Sequence, residues 1–350
     1  MKSAALFLYL IDMLKKSLPV LFAFLLISCG GINNHHVELK LLKDPSYPRW
    51  LSSGIMNADQ TSGITFIKDE NGDKYFLLAD DTGSILHLKI SNDTVFTLNP
   101  VIYSENFKAS IDTFPKPDFE EIVYDKTRKE VYLSIEGDGR NSAKYAGIYK
   151  LYFSNDDVLS DTLAGIEKVN ITPHSLFDKY IADNIGYEGL AVDENYFYIG
   201  LEGFTRSGIF ADSTILFIAD RNSGRIIKQI NTKSLGIHTI CGLYSDENNS
   251  VYGIDRNNRT FFHLLFDQSL NLKDAADVKI ETNIPNYKTF DYVSSLESVT
   301  MDTQKNIYLA DDPWRTFFIP SNEILNQLDS NTVKRFRNFV PVIYKYLLSK

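Results

Sequence analysis

Apolar and polar residues alternate in five short segments, KYFLLAD, VYLSIE, YFYIGLE, SVYGID and NIYLAD, and that period of two predicts β-strands with one buried side-chain set. Each follows a short apolar segment and a polar turn containing Asp69, Asp125, Asp193, Asp246 or Asp302, so each unit reads as a β-hairpin. The hairpin units begin at Ser62, Glu120, Glu188, Cys241 and Glu297, which are 58, 68, 53 and 56 residues apart. Further strands follow as SILHLKI, GIYKLYF, STILFIAD with RIIKQI, and TFFHLLF. Four strands per unit at this spacing predict an all-β fold, a β-propeller of five or six four-stranded blades, with residues 150–185 as the place for a sixth. VELKLLK, from Val37 to Lys43, is expected to close the ring by pairing with the C-terminal blade, and Asn322 to Lys350 to supply a helix and a last strand.

The N-terminal pattern differs. Lys15 and Lys16 precede an apolar run from Leu18 to Ile27, then Ser28, Cys29, Gly30 and Gly31. A basic region, about ten apolar residues and small residues at a cut form an export signal, too short to span roughly 30 Å of hydrocarbon. LISC resembles the lipobox of bacterial lipoproteins, which implies acylation of Cys29 and cleavage before it. The expected organisation is a signal peptide at 1–28, starting in effect at Met13, a lipidated tether at 29–36, and one propeller domain at 37–350. The expected location is the cell envelope, anchored through Cys29, at the outer rather than the inner membrane.

Charge narrows the partners. The full chain carries 36 Lys and Arg against 45 Asp and Glu, a net charge of −9. Removing residues 1–28, with Lys2, Lys15, Lys16 and Asp12, takes away a net +2 and leaves −11. An acidic body disfavours nucleic acid and anionic lipid and suits divalent cations. The chain has two cysteines, so a lipidated Cys29 leaves no intramolecular disulfide and packing must supply stability, in a body expected to be monomeric. Neither GxSxG, HExxH, a Walker loop nor CxxC occurs, which removes support for serine hydrolase, zincin and nucleotide chemistry.

In a propeller blade the innermost strand crosses from one face to the other and the second strand returns. The start of the first and the end of the second therefore share a face. Those positions hold Ser62, Glu120, Glu188, Cys241 and Glu297, and Asp80, Glu136, Glu202, Asp255 and Asp311, which predicts a mouth ringed by carboxylates. Four residues after the second acid stand Arg140, Arg206, Arg259 and Arg315, with Ser84 in the first repeat, among only eleven arginines in the chain. Two readings stay open. Each arginine could pin neighbouring blades through ion pairs, with no ligand involved. Alternatively Glu120, Glu188 and Glu297, with Glu136, Glu202 and Asp311, hold Ca²⁺ while Arg140, Arg206, Arg259 and Arg315 capture a small anion such as a phosphate ester. The Asp residues of the polar turns fall on the opposite face and read as structural, and Cys241 reads as a semi-buried small residue.

The succession SGITF, DFEEIVYD, GYEGLAVD, ICGLYSD and SLESVTMD over residues 55 to 320 resembles the phytase-like (esterase-like activity of phytase) propellers and the related SdiA-regulated-type lipoprotein family. The resemblance implies that Glu120, Glu188 and Glu297 take channel-facing positions where calcium binds, and that the activity is phosphate-ester hydrolysis. Glu121 and Ser298 stand where the pattern has glycine, and Cys241 where it has a small polar residue. The rival expectation is a non-catalytic propeller serving as an interaction module in the envelope.

Overall fold

The alternating segments form strands, and the strands form five antiparallel sheets set around one axis. The computed structural model describes residues 39–54, 56–136, 142–178, 180–181, 185–203, 211–313 and 318–349. Residues 1–28, Cys29, the expected tether, Arg140, Arg206 and Arg315 lie outside the described residues. Among the described residues no helix is long and apolar enough to cross a membrane.

The first strand is β1 (Lys40–Lys43). Blade 1 follows with β2 (Thr61–Glu70), β3 (Asp73–Asp80), β4 (Ile85–Ser91) and β5 (Val95–Pro100), and blade 2 with β6 (Phe119–Asp125), β7 (Glu130–Ile135), β8 (Gly147–Phe153) and β9 (Thr162–Lys168). Blade 3 holds β10 (Tyr187–Val192), β11 (Tyr196–Leu201), β12 (Ile215–Asp220) and β13 (Ile226–Asn231). Blade 4 holds β14 (Gly242–Ser245), β15 (Ser250–Asp255), β16 (Thr260–Phe266) and β17 (Leu272–Lys279). Blade 5 contains β18 (Leu296–Met301), β19 (Asn306–Asp311) and β20 (Val342–Ser349), with β1 as its outer strand. The ring closes as expected, by Lys40 opposite Ser349 and Lys43 opposite Tyr346. The C-terminal segment forms a helix, α1 (Ser330–Arg337), before β20. Among the described residues no sixth blade forms in 150–185: that stretch supplies β9, the fourth strand of blade 2, and then the 3₁₀ turn His174–Leu176.

Because every blade packs on two neighbours, both faces of its strands are apolar. Five buried clusters fill the five gaps. Leu77 meets Leu133 between blades 1 and 2, Ile148 meets Leu190 between 2 and 3, and Leu216 meets Phe262 between 3 and 4. Phe261 meets Leu309 between blades 4 and 5, and Phe76 meets Tyr308 between 5 and 1. The innermost strands approach closely: a Cβ on Gly63 would lie 2.5 Å from the Glu120 carbonyl oxygen, and one on Gly242 would lie 2.7 Å from that of Glu297.

The turn aspartates are structural, and they do two jobs. Asp193 accepts hydrogen bonds from Asn195 N at 2.8 Å and Tyr196 N at 2.7 Å, and Asp302 accepts from Gln304 N and Asn306 N, both at 2.9 Å. They also pin blades. Lys74 of blade 1 reaches Asp302 of blade 5 at 2.9 Å. Arg221, its side chain fully buried, pairs with Asp125 at 2.6 Å and Glu130 at 3.0 Å, and lies over the Tyr132 and Phe197 rings. Ion pairs of the kind expected from the arginines of the mouth thus join blades on the opposite face. Removing the Arg221 guanidinium takes the buried counter-charge from Asp125 at the joint of blades 2 and 3, while Glu130 keeps Lys150 at 2.6 Å, so Arg221→Ala should cost about 3–5 kcal/mol in urea denaturation.

Candidate metal centre

Four of the five innermost strands carry a β-bulge at the same place. The register slips between Thr61 and Gly63, Phe119 and Ile122, Tyr187 and Leu190, and Leu296 and Ser298. A bulge turns one extra side chain out of the pleat. Here it falls where Ser62, Glu120, Glu188 and Glu297 begin their strands, and all four are buried.

These glutamates converge with acids from the strand ends and loops in three overlapping groups. Donor atoms of Glu120, Glu136 and Glu188 lie within 4.8 Å of one another, as do those of Asp81, Asp118 and Glu120, and those of Glu188, Cys241 and Glu297. Glu120 and Glu188 are the shared members, so the groups run in series around the channel. Glu136 is 1% exposed and its Oε1 has no hydrogen-bond partner among the described residues. The same holds for Glu297 Oε2 and Asp312 Oδ1, both on residues 5% exposed.

Below the ring lies a floor. Glu121 Oε1 accepts from Ser298 Oγ at 2.5 Å and from Ile64 N at 3.2 Å, which ties blade 2 to blades 5 and 1. The two departures from glycine therefore answer one another across the axis, and they leave Glu120 and Glu297 free to face the ring. Past this floor, at the far end, a cavity of about 130 Å³ is lined by Thr65, Tyr124, Asp193, Tyr244 and Thr300.

The described cations of the mouth are Lys116, 2.6 Å from Asp118, and Arg256, which reaches Glu202 at 2.7 Å and also donates to Glu297. Arg256 follows Asp255 directly. Arg259, at the expected offset, sits in the same turn with a left-handed φ of 56°. Of the acids at the strand ends, Glu136 and Glu202 join the ring, whereas Asp311 accepts from Ser294 Oγ at 2.8 Å and from Val342 N. Asp80 and Asp255 likewise cap turns, through Thr82 N at 3.0 Å and Asn258 N at 3.0 Å. The sequence reading passed over Asp81, Asp118, Asp312, Lys116 and Arg256. The doublets Asp80-Asp81 and Asp311-Asp312 were the available signal: the first acid of each caps the strand end, which leaves the second for the mouth.

Burial and mutual repulsion oppose ionisation of several of these acids. Desolvation, then the charges of Glu188, Asp81, Asp118 and Glu136, raise the Glu120 carboxyl well above the usual range. Glu136, Glu188 and Asp312 are raised for the same reasons. Desolvation first, then neighbouring acids, pushes part-buried Asp81 up to about 8. Glu202 rises to about 7, mainly by desolvation and despite Arg256, and Asp311 to about 7. Folded carboxyls with raised values hold protons that the unfolded chain has already released, so stability declines as pH rises between the unfolded value, about 4, and the folded values. In chelator, the melting temperature should therefore fall from pH 5 to pH 8, and a flat profile in differential scanning fluorimetry would contradict this electrostatic picture.

No family model matches the sequence, and no curated protein matches it either. Among solved structures, the chain is similar to the PQQ-bound form of aldose sugar dehydrogenase from Streptomyces coelicolor, with 10% identity, 89% of this chain and 98% of that chain covered, and a TM-score of 0.44. It is also similar to the WD40 β-propeller domain of Doa1, with 8% identity, 87% and 97% covered, and a TM-score of 0.39. A luciferin-regenerating enzyme gives 13% identity, 88% and 95% covered, and a TM-score of 0.43. Likeness at this level transfers no chemistry, and the five-bladed propeller is read from the paired strands themselves.

Proposed function

We propose that the protein is a divalent-cation-binding propeller whose acidic channel mouth holds Ca²⁺ and presents it to a small anionic ligand. The observation that carries this reading is the Glu120, Glu136 and Glu188 group, with a buried Glu136 Oε1 that has no hydrogen-bond partner among the described residues. Buried like charges at this separation need a counter-charge. On the side of Arg256, the acids Glu202 and Glu297 have one. On the other side, Asp81, Asp118, Glu120, Glu136 and Glu188 face Lys116, which is committed to Asp118. Among the described residues, carboxylates outnumber cations most at this all-carboxylate group. Calcium takes six to eight oxygens at about 2.3–2.6 Å, so donors within 4.8 Å of one another suit it.

When bound, such an ion can polarise a phosphoryl oxygen and lower the pKa of a coordinated water. The residues of the chain then supply the rest: Glu120, Glu136 and Glu188 orient the ion, and Lys116 and Arg256 attract an anion to the mouth. Phosphate-ester hydrolysis is the extension of this reading that the resemblance to phytase-like propellers supports, with Arg140, Arg206, Arg259 and Arg315 as further anion ligands. We also propose export and envelope anchoring through lipid on Cys29, on the strength of the LISC segment, at the outer membrane.

Two measurements test the reading. Calcium at a hundred times its dissociation constant should stabilise the protein by about 2.7 kcal/mol. Glu136→Gln should abolish that response while raising the stability of the calcium-free protein at neutral pH, since it removes an acid whose ionisation burial and neighbouring carboxylates oppose. A melting temperature indifferent to millimolar Ca²⁺ overturns the proposal. For the hydrolytic extension, turnover of phytate or simple phosphomonoesters with Ca²⁺ should fall on Arg256→Ala, and inactivity across that panel leaves a binding module.

A further inference from the structure

We infer that the channel holds a second cation position, with a sulfur donor, formed by Glu188, Cys241 and Glu297. It goes beyond the calcium reading and does not rest on it. Four observations point to it. Donor atoms of the three residues lie within 4.8 Å of one another, and all three side chains are buried. Glu297 is positioned as a ligating carboxylate is by its supporting partners: Arg256 and Ser295 both donate to Oε1, the latter at 2.7 Å. That leaves Oε2 buried with no hydrogen-bond partner among the described residues. Finally, Cys241 directly precedes β14, at the repeat position where three other blades place a glutamate of the mouth, and its Sγ lies beside the Glu188 and Glu297 carboxylates although blade 4 lacks the bulge of those blades.

Donor chemistry sets the ion. Thiolate is a soft ligand that Ca²⁺ and Mg²⁺ do not favour, while Zn²⁺, Co²⁺ and Cd²⁺ do. A zinc-class ion reaches about 2.0–2.3 Å to oxygen and sulfur, so the three donors would draw together by less than about 1 Å around it. Binding displaces the Cys241 proton to solvent, and the thiolate then bonds to the ion. The two carboxylates and the thiolate carry three negative charges, and Arg256 beside them, shared with Glu202, offsets only part of these, so a divalent ion supplies charge that the arginine does not. Glu188 belongs to both groups, so it bridges an oxygen-only position and a mixed oxygen and sulfur position.

The probe is Co²⁺, added to the metal-free full-length chain carrying Cys29→Ser, so that Cys241 is the sole thiol. The expected result is a near-ultraviolet thiolate-to-cobalt charge-transfer band that saturates at one equivalent and is accompanied by proton release. Cys241→Ser should abolish the band and leave the calcium-induced rise in melting temperature intact. Glu136→Gln should do the reverse, and Glu188→Gln should weaken both responses. Folding of each variant is checked by far-ultraviolet circular dichroism. Absence of the band in the parent chain overturns the inference without reference to any variant, as does a band that survives Cys241→Ser. A silent calcium titration beside an intact cobalt band would defeat the calcium proposal alone.

Discussion

Packing five innermost strands side by side around one axis is the constraint on which the molecule depends. It brings equivalent positions of every blade to the same depth, so whatever the repeat carries there is concentrated five-fold. In most of the strand the concentrated residues are apolar, and the result is the set of clusters that hold blade to blade. At the strand starts three of the five are carboxylates, and the same geometry becomes a source of repulsion inside a desolvated mouth.

The two ends of the channel resolve their acids differently. At the far end, Asp193 and Asp302 are consumed by backbone donors of their own turns, while Lys74 and Arg221 tie acids of one blade to its neighbour. At the mouth, Arg256 and Lys116 offset part of the charge, and buried oxygens of Glu136, Glu297 and Asp312 have no hydrogen-bond partner among the described residues. Glu121 and Ser298 separate the two regimes by closing the axis between them.

Period-two patterning and the repeat made the fold legible: the hairpins, the closing strand β1 and the C-terminal strand β20 all follow from it. The blade count was less so, because β9 and the turn after it look like an irregular repeat until β9 is seen to pair with β8. In the site, Glu120, Glu136, Glu188, Glu202 and Glu297 were readable from register alone. Asp81 and Asp312 were not, since which member of an acid doublet caps the strand depends on backbone donors such as Ser84 N and Val342 N. Arg256 was hidden by the regular offset of Arg259 and its counterparts, a pattern that drew attention away from the residue next to the strand end.

Blade 5 carries Glu297 and Asp312, and it is also the blade whose sheet is assembled from distant parts of the chain, with β20 held between β19 and β1. Closing that sheet carries the loop entropy of nearly the whole domain, against which the other four blades are local assemblies. A cation bound as proposed, between acids of blades 3 and 5, would favour the same closed ring as the pairing of β1 with β20. Linkage would then make each strengthen the other, so that the grip of the first strand on the last and the grip of the mouth on such an ion become two readings of one equilibrium.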